Sequence, residues 1–217
     1  MAITIDGSSG IASVDGSAAS PSVRGTDANS GILYTADAIK FSTGGTQRAV
    51  IDNNGLSSAG HIVQTVSVTK TARAQSSADS GGESGTLFEA AITPTSSSNK
   101  ILLFGSMSIG CSTGTQIAIR LKINGTLTEG RGVGIAVGNR RYVTSLASDI
   151  YNNDRQQTIS FNYLDSPNTT SETTYSFVGL HSSGSSRIMT INRSENDADS
   201  VVWQTPISTM TLMEVAV

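Results

Sequence analysis

The chain has 217 residues, with 14 Lys and Arg against 17 Asp and Glu, a formal net charge of −3. Charged side chains make up 14% and aromatics 5%, while Gly numbers 22 and Ser and Thr are abundant. That balance excludes a self-repelling disordered chain, and the lack of any basic run excludes an electrostatic binder of nucleic acid or anionic membrane. The longest apolar run singled out, Ile101-Leu102-Leu103-Phe104, is too short for a transmembrane helix, so no membrane insertion is expected. Met1-Ala2-Ile3-Thr4-Ile5-Asp6 has neither the basic nor the apolar stretch of a signal peptide, and synthesis in a cytoplasm is expected. The single Cys111 has no partner for an internal disulfide and reads as a buried, inert thiol.

Helical periodicity is nearly absent, which predicts an all-β protein. The first sixty residues carry brief strand-like pieces at Ile3–Ile5, Gly31–Tyr34, Ala38–Phe41 and Arg48–Ile51. Turn sequences separate them: Asp6-Gly7, Asp15-Gly16, Gly44-Gly45 and Asn53-Asn54-Gly55. So few large side chains over so many residues cannot build an independent core, so this segment is expected to order against copies of itself or against a larger particle. Gln64–Thr69 alternates as a strand, and Ala74–Gly85 reads as a Ser/Gly-rich loop. From Leu87 onward, strands recur at sandwich or jelly-roll spacing. Ile101–Ile109 is apolar enough to be central, and Ile117, Ile119, Leu121 and Ile123 alternate into Asn124-Gly125, a type I′ hairpin turn. Further strands are predicted at Arg141–Ser145, Thr158–Tyr163, Thr173–Leu180, Arg187–Asn192 and Ser208–Val215. The division expected is a stalk segment over 1–62 and a jelly-roll-like β-sandwich head over 63–217.

Two stretches resemble known phage structural proteins. Gly31-Ile32-Leu33-Tyr34 with Phe41-Ser42-Thr43-Gly44-Gly45-Thr46-Gln47-Arg48 and Ile51-Asp52-Asn53-Asn54-Gly55 is similar to the short β-repeat of bacteriophage tail fibres. Ile92-Thr93-Pro94-Thr95 through Lys100-Ile101-Leu102, with Tyr163-Leu164-Asp165-Ser166-Pro167 and Thr173-Thr174-Tyr175, resembles a C-terminal head domain of marine phage fibre and structural proteins. Leu56-Ser57-Ser58 stands where such repeats usually continue, so one repeat implies a short stalk, and no separate tail-anchoring domain is read in the chain. The resemblance implies an intertwined homotrimer, with Ile32, Tyr34, Ile39, Phe41, Val50 and Ile51 meeting about a common axis. It implies a virion protein assembled in the host cytoplasm. Its partners would be other virion proteins of tail or capsid and a host-surface glycan or protein. Tail fibre and capsid-mounted decoration or head fibre both remain open, as does a lectin-like carbohydrate-binding module without a particle.

No catalytic, cofactor or metal site is assigned. His61 and His181 read as surface or loop histidines, and no G-x-S-x-G elbow is present. Gly130–Gly138 lacks phosphate-loop spacing and reads as a flexible or trimer-contacting loop. Ser194–Ser200 gathers carboxylates without the Ca²⁺-loop pattern and reads as a solvated turn. Asn124, Asn168 and Asn192 begin glycosylation sequons that read as turns. A glycan depolymerase would need two converging carboxylates, and Asp149, Asp154, Asp165 and Glu172 are the candidates. Receptor contact is assigned to Tyr151, Asn152, Asn153, Arg155 and Trp203, an aromatic and amide combination suited to carbohydrate, with Trp203 also suited to burial in a core or trimer interface.

Overall fold

The computed structural model describes residues 5–6, 10–11, 15–53, 55–112, 115–150, 152–201 and 203–217. Every regular element among them is a strand. The chain divides into two compact units, Met1–His61 with Ala216–Val217 and Ile62–Val215.

In the first unit, β1 (Ile5–Asp6) pairs with β2 (Gly10–Ile11), and β3 (Gly16–Ser17) with β4 (Ser20–Pro21). A five-stranded meander follows in chain order: β5 (Val23–Arg24), β6 (Gly31–Thr35), β7 (Ala38–Thr43), β8 (Thr46–Asp52) and β9 (Gly55–Ser57). Gly44 and Gly45 both take positive φ, at 58° and 74°, which is the two-residue hairpin turn that their sequence predicts. Leu33 is the one large apolar side chain that is fully buried among the described residues of this unit.

The second unit contains β10 (Ile62–Lys70), β11 (Ala74–Ala78), β12 (Glu83–Ile92), β13 (Lys100–Cys111) and β14 (Thr115–Ile123). It continues with β15 (Ser145–Ile150), β16 (Gln156–Asp165), β17 (Thr173–His181), β18 (Arg187–Ile191) and β19 (Ser208–Val215). All pairings are antiparallel. Setting aside the short β11 and β18, one sheet runs β10-β19-β13-β16 and the other β12-β17-β14-β15. The first, eighth, third and sixth principal strands thus face the second, seventh, fourth and fifth. This double Greek key is the jelly roll. The strand order itself establishes the fold as an all-β jelly-roll sandwich.

Alternation explains the core. Ile101, Leu103, Met107 and Ile109 of β13 and Ile117, Ile119 and Leu121 of β14 all point between the sheets and are buried. Phe161 of one sheet meets Phe177 of the other at a ring-centroid distance of 4.3 Å. Gly105 makes room for that ring, since a Cβ there would collide with Phe161 and the Thr209 carbonyl.

Three predicted features differ. Ala74–Gly85 is not one loop: β11 lies within it, paired along its length with β18. A Ser/Ala strand whose partner lies over a hundred residues away carries no apolar alternation to mark it. Arg141–Ser145 precedes a strand that spans Ser145–Ile150. Asn124 and Gly125 do take positive φ, 51° and 73°, but their turn closes only an Ile123–Thr126 bridge. The strand partners of β14 are β15 and β17.

Candidate functional site

The meander carries two apolar rows. Cross-strand register aligns Tyr34 with Ile39, Ile39 with Ile51 and Ile51 with Leu56, and aligns Val23 with Ile32, Ile32 with Phe41 and Phe41 with Ala49. All eight point to the same side. Tyr34 is 40% exposed, Phe41 37%, Ile51 42% and Leu56 58%, so the face lies open to solvent in the single chain. Ile32, Tyr34, Ile39, Phe41 and Ile51 therefore share one face. Val50 does not: next to Ile51 in the same strand, it pairs with Lys40 and Ser57 on the opposite side. There it borders a shallow polar depression with Thr35, Asp37, Lys40, Asp52 and Asn53. Period-2 geometry forbids neighbours from sharing a face, which corrects the grouping of Val50 with the other five.

In the head, the motif residues resolve into two buried carboxylate networks. Ile101 pairs with Glu214 on one side and Asp165 on the other, placing both acids in one inward-facing row. Asp165 is 1% exposed. It accepts two bonds from Arg131, Nε to Oδ1 and Nη2 to Oδ2, each 2.7 Å, and a third from the Tyr175 hydroxyl at 2.8 Å. Burial, then the charge of Asp165, pushes the Tyr175 hydroxyl far above its ordinary value, and the Asp165 bond raises Arg131. Glu214 is fully buried. It accepts from Gln64 Nε2 (2.6 Å), Thr95 N (2.7 Å), Thr95 Oγ1 (2.8 Å) and Asn99 Nδ2 (2.7 Å). Burial alone would raise its carboxyl, but the bonds from Asn99, Gln64 and Thr95 outweigh it and hold the group below the usual carboxylate range.

These networks are clasps. Asp165 fixes Arg131 of the Gly-rich loop, where Gly130, Gly132 and Gly138 all take positive φ. Glu214 fixes the Thr93–Asn99 segment. Both carboxylates are buried with their oxygens engaged by the chain's own donors, so neither opens onto a substrate groove. Of the other depolymerase candidates, Asp154 accepts from Asn196 (3.0 Å) and Glu172 is exposed, while the side chain of Asp149 lies outside the described residues.

Of the assigned receptor residues, Asn152, Asn153, Arg155 and Trp203 gather at one end of the head. Ile62 and Val215, where the unit begins and ends, pair beside Lys100 at the start of β13. Gln156 pairs with Gly110 at the other end of β13, roughly 33 Å from Lys100 for ten residues of extended strand. There Asn196 N donates to the Asn153 carbonyl (2.9 Å) and Gln156 Nε2 to the Gln204 carbonyl (2.8 Å), joining the β15–β16 and β18–β19 loops. Asn152, Asn153, Arg155 and Trp203 thus belong to one loop cluster, with Arg155 exposed and Trp203 half-buried. Tyr151 lies outside the described residues.

The remaining candidates take structural places. In the Ser194–Ser200 cluster, Asp197 pairs with Arg73 (2.6 Å) and Arg193 (3.4 Å). His181 is 1% exposed rather than on the surface; its Nδ1 accepts from Ser183 N (3.2 Å), and its Nε2 lies 3.3 Å from the Ala78 carbonyl. His61 lies against the Ser58 carbonyl at 3.1 Å. Cys111 is buried, and burial pushes its thiol up to about 11. Asn124, Asn168 and Asn192 all take positive φ (51°, 54° and 58°), the left-handed turn conformation that Asn tolerates.

No protein-family model matches the chain, and no curated protein matches it. Among solved structures it is similar to one of infectious bursal disease virus, Gt strain, at 13% identity and TM-score 0.41, covering 90% of this chain and 52% of that one. T=1 particles derived from the same virus give 11% and 0.39, covering 82% and 49%. Its Gx strain gives 16% and 0.36, covering 76% and 41%. The chain spans about half the length of these structures. Likeness at this level adds nothing to the fold that the strand order establishes.

Proposed function

We propose that this chain is a non-enzymatic virion structural protein of a bacteriophage. It forms a short homotrimeric fibre or spike, a tail fibre that attaches to the host surface. The observation that carries this reading is the open apolar face of the meander. Most of the row residues, Ile32, Tyr34, Ile39, Phe41, Ala49 and Ile51, fall within the stretch that resembles the fibre repeat, and the chain itself leaves Tyr34, Ile39, Phe41 and Ile51 exposed. Three copies turning these rows to a common axis supply the core that one copy lacks.

The loop cluster around Asn152, Asn153, Arg155 and Trp203 lies at the end of the head away from Ile62 and Val215. That end suits outward display. Several weak contacts to a repetitive host glycan or protein then act together, and avidity replaces single-site affinity. Proximally the partner is another virion protein, of tail or capsid, and the mature location is the virion.

Two measurements test the reading. Sedimentation equilibrium of the full-length protein should return the mass of three chains; a persistent monomer overturns the trimer. Gold-labelled antibody on intact particles should mark the tail; label on the capsid surface would make it a decoration or head fibre, and unlabelled particles would overturn the virion assignment.

A further inference from the structure

The two outer faces of the head differ sharply. On the β12-β17-β14-β15 sheet, Glu83 pairs with Arg120 at 2.8 Å and Lys122 at 2.7 Å, and Arg120 lies over the Tyr142 ring at 5.0 Å. The long β14–β15 loop also reaches this side, where Arg141 Nη1 donates to the His181 carbonyl (3.1 Å). Outward-pointing Val178 and Leu180 are buried there. This face is charged and partly covered by its own chain.

Among the described residues, the β10-β19-β13-β16 sheet is covered by its own chain only at one end, where Gln156 Nε2 donates to the Gln204 carbonyl (2.8 Å) and Ser108 is buried. Register places Met213, Leu102 and Leu164 in one outward row, with Thr211, Phe104 and Asn162 in the next. Leu164 is 48% exposed and Phe104 37%. Thr65, Ser67, Thr209, Ser106 and Ser160 continue the face, and Lys100 at its corner is the only charged side chain that the described residues of these strands point outward. Charge depletion around an apolar centre marks the core of an interface rather than a solvated surface.

We propose that the outer face of the β10-β19-β13-β16 sheet is an interaction surface covered by a second copy of this chain. Area and charge select that occupant. Four strands span about 15 Å, and seven or eight residues about 25 Å, giving roughly 400 Å², about half of the ~800 Å² that each partner of a stable complex contributes. A face without charge has nothing to steer an independent partner to it. So small a contact holds only where something else keeps the partner near, and a shared stalk does that for a copy of this chain through effective concentration. In this respect the inference rests on the homotrimeric stalk proposed above.

The test uses thiol labelling of the full-length protein carrying one added cysteine at a time, because Cys111 is buried and its thiol is pushed up to about 11. The variants are Leu164→Cys on the head face, Leu56→Cys on the stalk face and Val201→Cys as a freely exposed reference, Val201 being 98% exposed. Leu164→Cys should label at least about tenfold more slowly than Val201→Cys at high protein concentration, and recover on dilution. Adding Phe104→Asp should restore fast labelling while circular dichroism stays that of a folded β protein. Equal labelling of Leu164→Cys and Val201→Cys at every concentration overturns the head interface, as does protection that survives Phe104→Asp. Leu56→Cys reports the stalk separately: its protection with Leu164→Cys free would overturn the head contact alone, and its free labelling with Leu164→Cys protected would overturn the stalk trimer and with it the argument that the stalk tethers the second copy.

Discussion

The meander and the head sandwich are made by the same rule and end differently. Both are antiparallel sheets whose alternate residues are apolar. In the head, the rows of β13 and β14 meet across the sandwich and close around Phe161 and Phe177. In the meander, the rows Tyr34–Ile39–Ile51–Leu56 and Val23–Ile32–Phe41–Ala49 meet nothing comparable. Alternation therefore specifies which side of a sheet will be buried without specifying what buries it. Where the chain returns with a second sheet, the core is intramolecular. Where it does not, the proposed trimer has another chain provide the cover, and each large side chain would then contribute about 1.5–3 kcal/mol to association instead of folding.

The largest expected effects lie in the head, where a single chain already holds everything. Asp165→Ala removes the acceptor of both Arg131 bonds and of the Tyr175 hydroxyl, leaving the buried Tyr175 donor unpaired and the partly exposed Arg131 without its clasp. Unfolding in urea should show a loss of about 3–5 kcal/mol. Glu214→Gln replaces an acceptor with a partial donor facing Asn99 and Thr95, and about 2–3 kcal/mol should be lost. The carboxyl of Glu214 is held below its ordinary value, so its stabilisation is complete above the unfolded value of about 4.3 and disappears as pH falls through the folded one. Wild-type urea midpoints should accordingly drop between neutral and strongly acidic pH, and the Glu214→Gln variant should drop less. An equal acid-induced drop in both would remove Glu214 from the account.

Stalk substitutions should act on assembly and spare the head. Phe41→Asp places a charge in the second apolar row and should weaken association by about 2–3 kcal/mol, about thirty- to 150-fold in the equilibrium constant, by sedimentation. The head's urea transition should move by no more than about 0.5 kcal/mol. A matching fall in head stability would erase the distinction between the two regions.

Much of this division is legible in the residues themselves. Ser208–Val215 is predicted at its observed bounds, and Met210, Leu212 and Glu214 all face inward as its alternation requires. The turn at Gly44-Gly45 follows from its composition. The two clasps are not legible as such. Asp165 and Glu214 lie 49 positions apart (214 − 165) and meet only through Ile101 between them. The motif words Tyr-Leu-Asp-Ser-Pro and Thr-Thr-Tyr show that a pattern exists, but the bond from Tyr175 to Asp165 depends on the Greek key crossing. His181 likewise lies inside the sandwich, because its strand is internal, although a histidine beside a Ser-rich turn reads as exposed. Asn152, Asn153, Arg155 and Trp203 come together for the same kind of reason: loops distant in sequence share one end of a sandwich.

The smallest expected effect discriminates most finely. Val50 and Ile51 are adjacent, both β-branched and both in β8, so composition, strand propensity and local context are matched between them. They differ in direction. Ile51 stands in the row between Ile39 and Leu56, whereas Val50 stands between Lys40 and Ser57 on the polar side. Replacing either with Thr keeps the branch at Cβ and the strand preference while removing apolar surface. Ile51→Thr should weaken association by about 1–2 kcal/mol, about five- to thirtyfold, because the lost apolar surface faces the proposed axis. Val50→Thr should leave the equilibrium within about 0.5 kcal/mol of wild type. Equal losses would mean that the meander is destabilised as a whole and that its two faces are not distinguished by what covers them. A loss at Val50 alone would place the copies against the polar depression and turn the apolar rows outward.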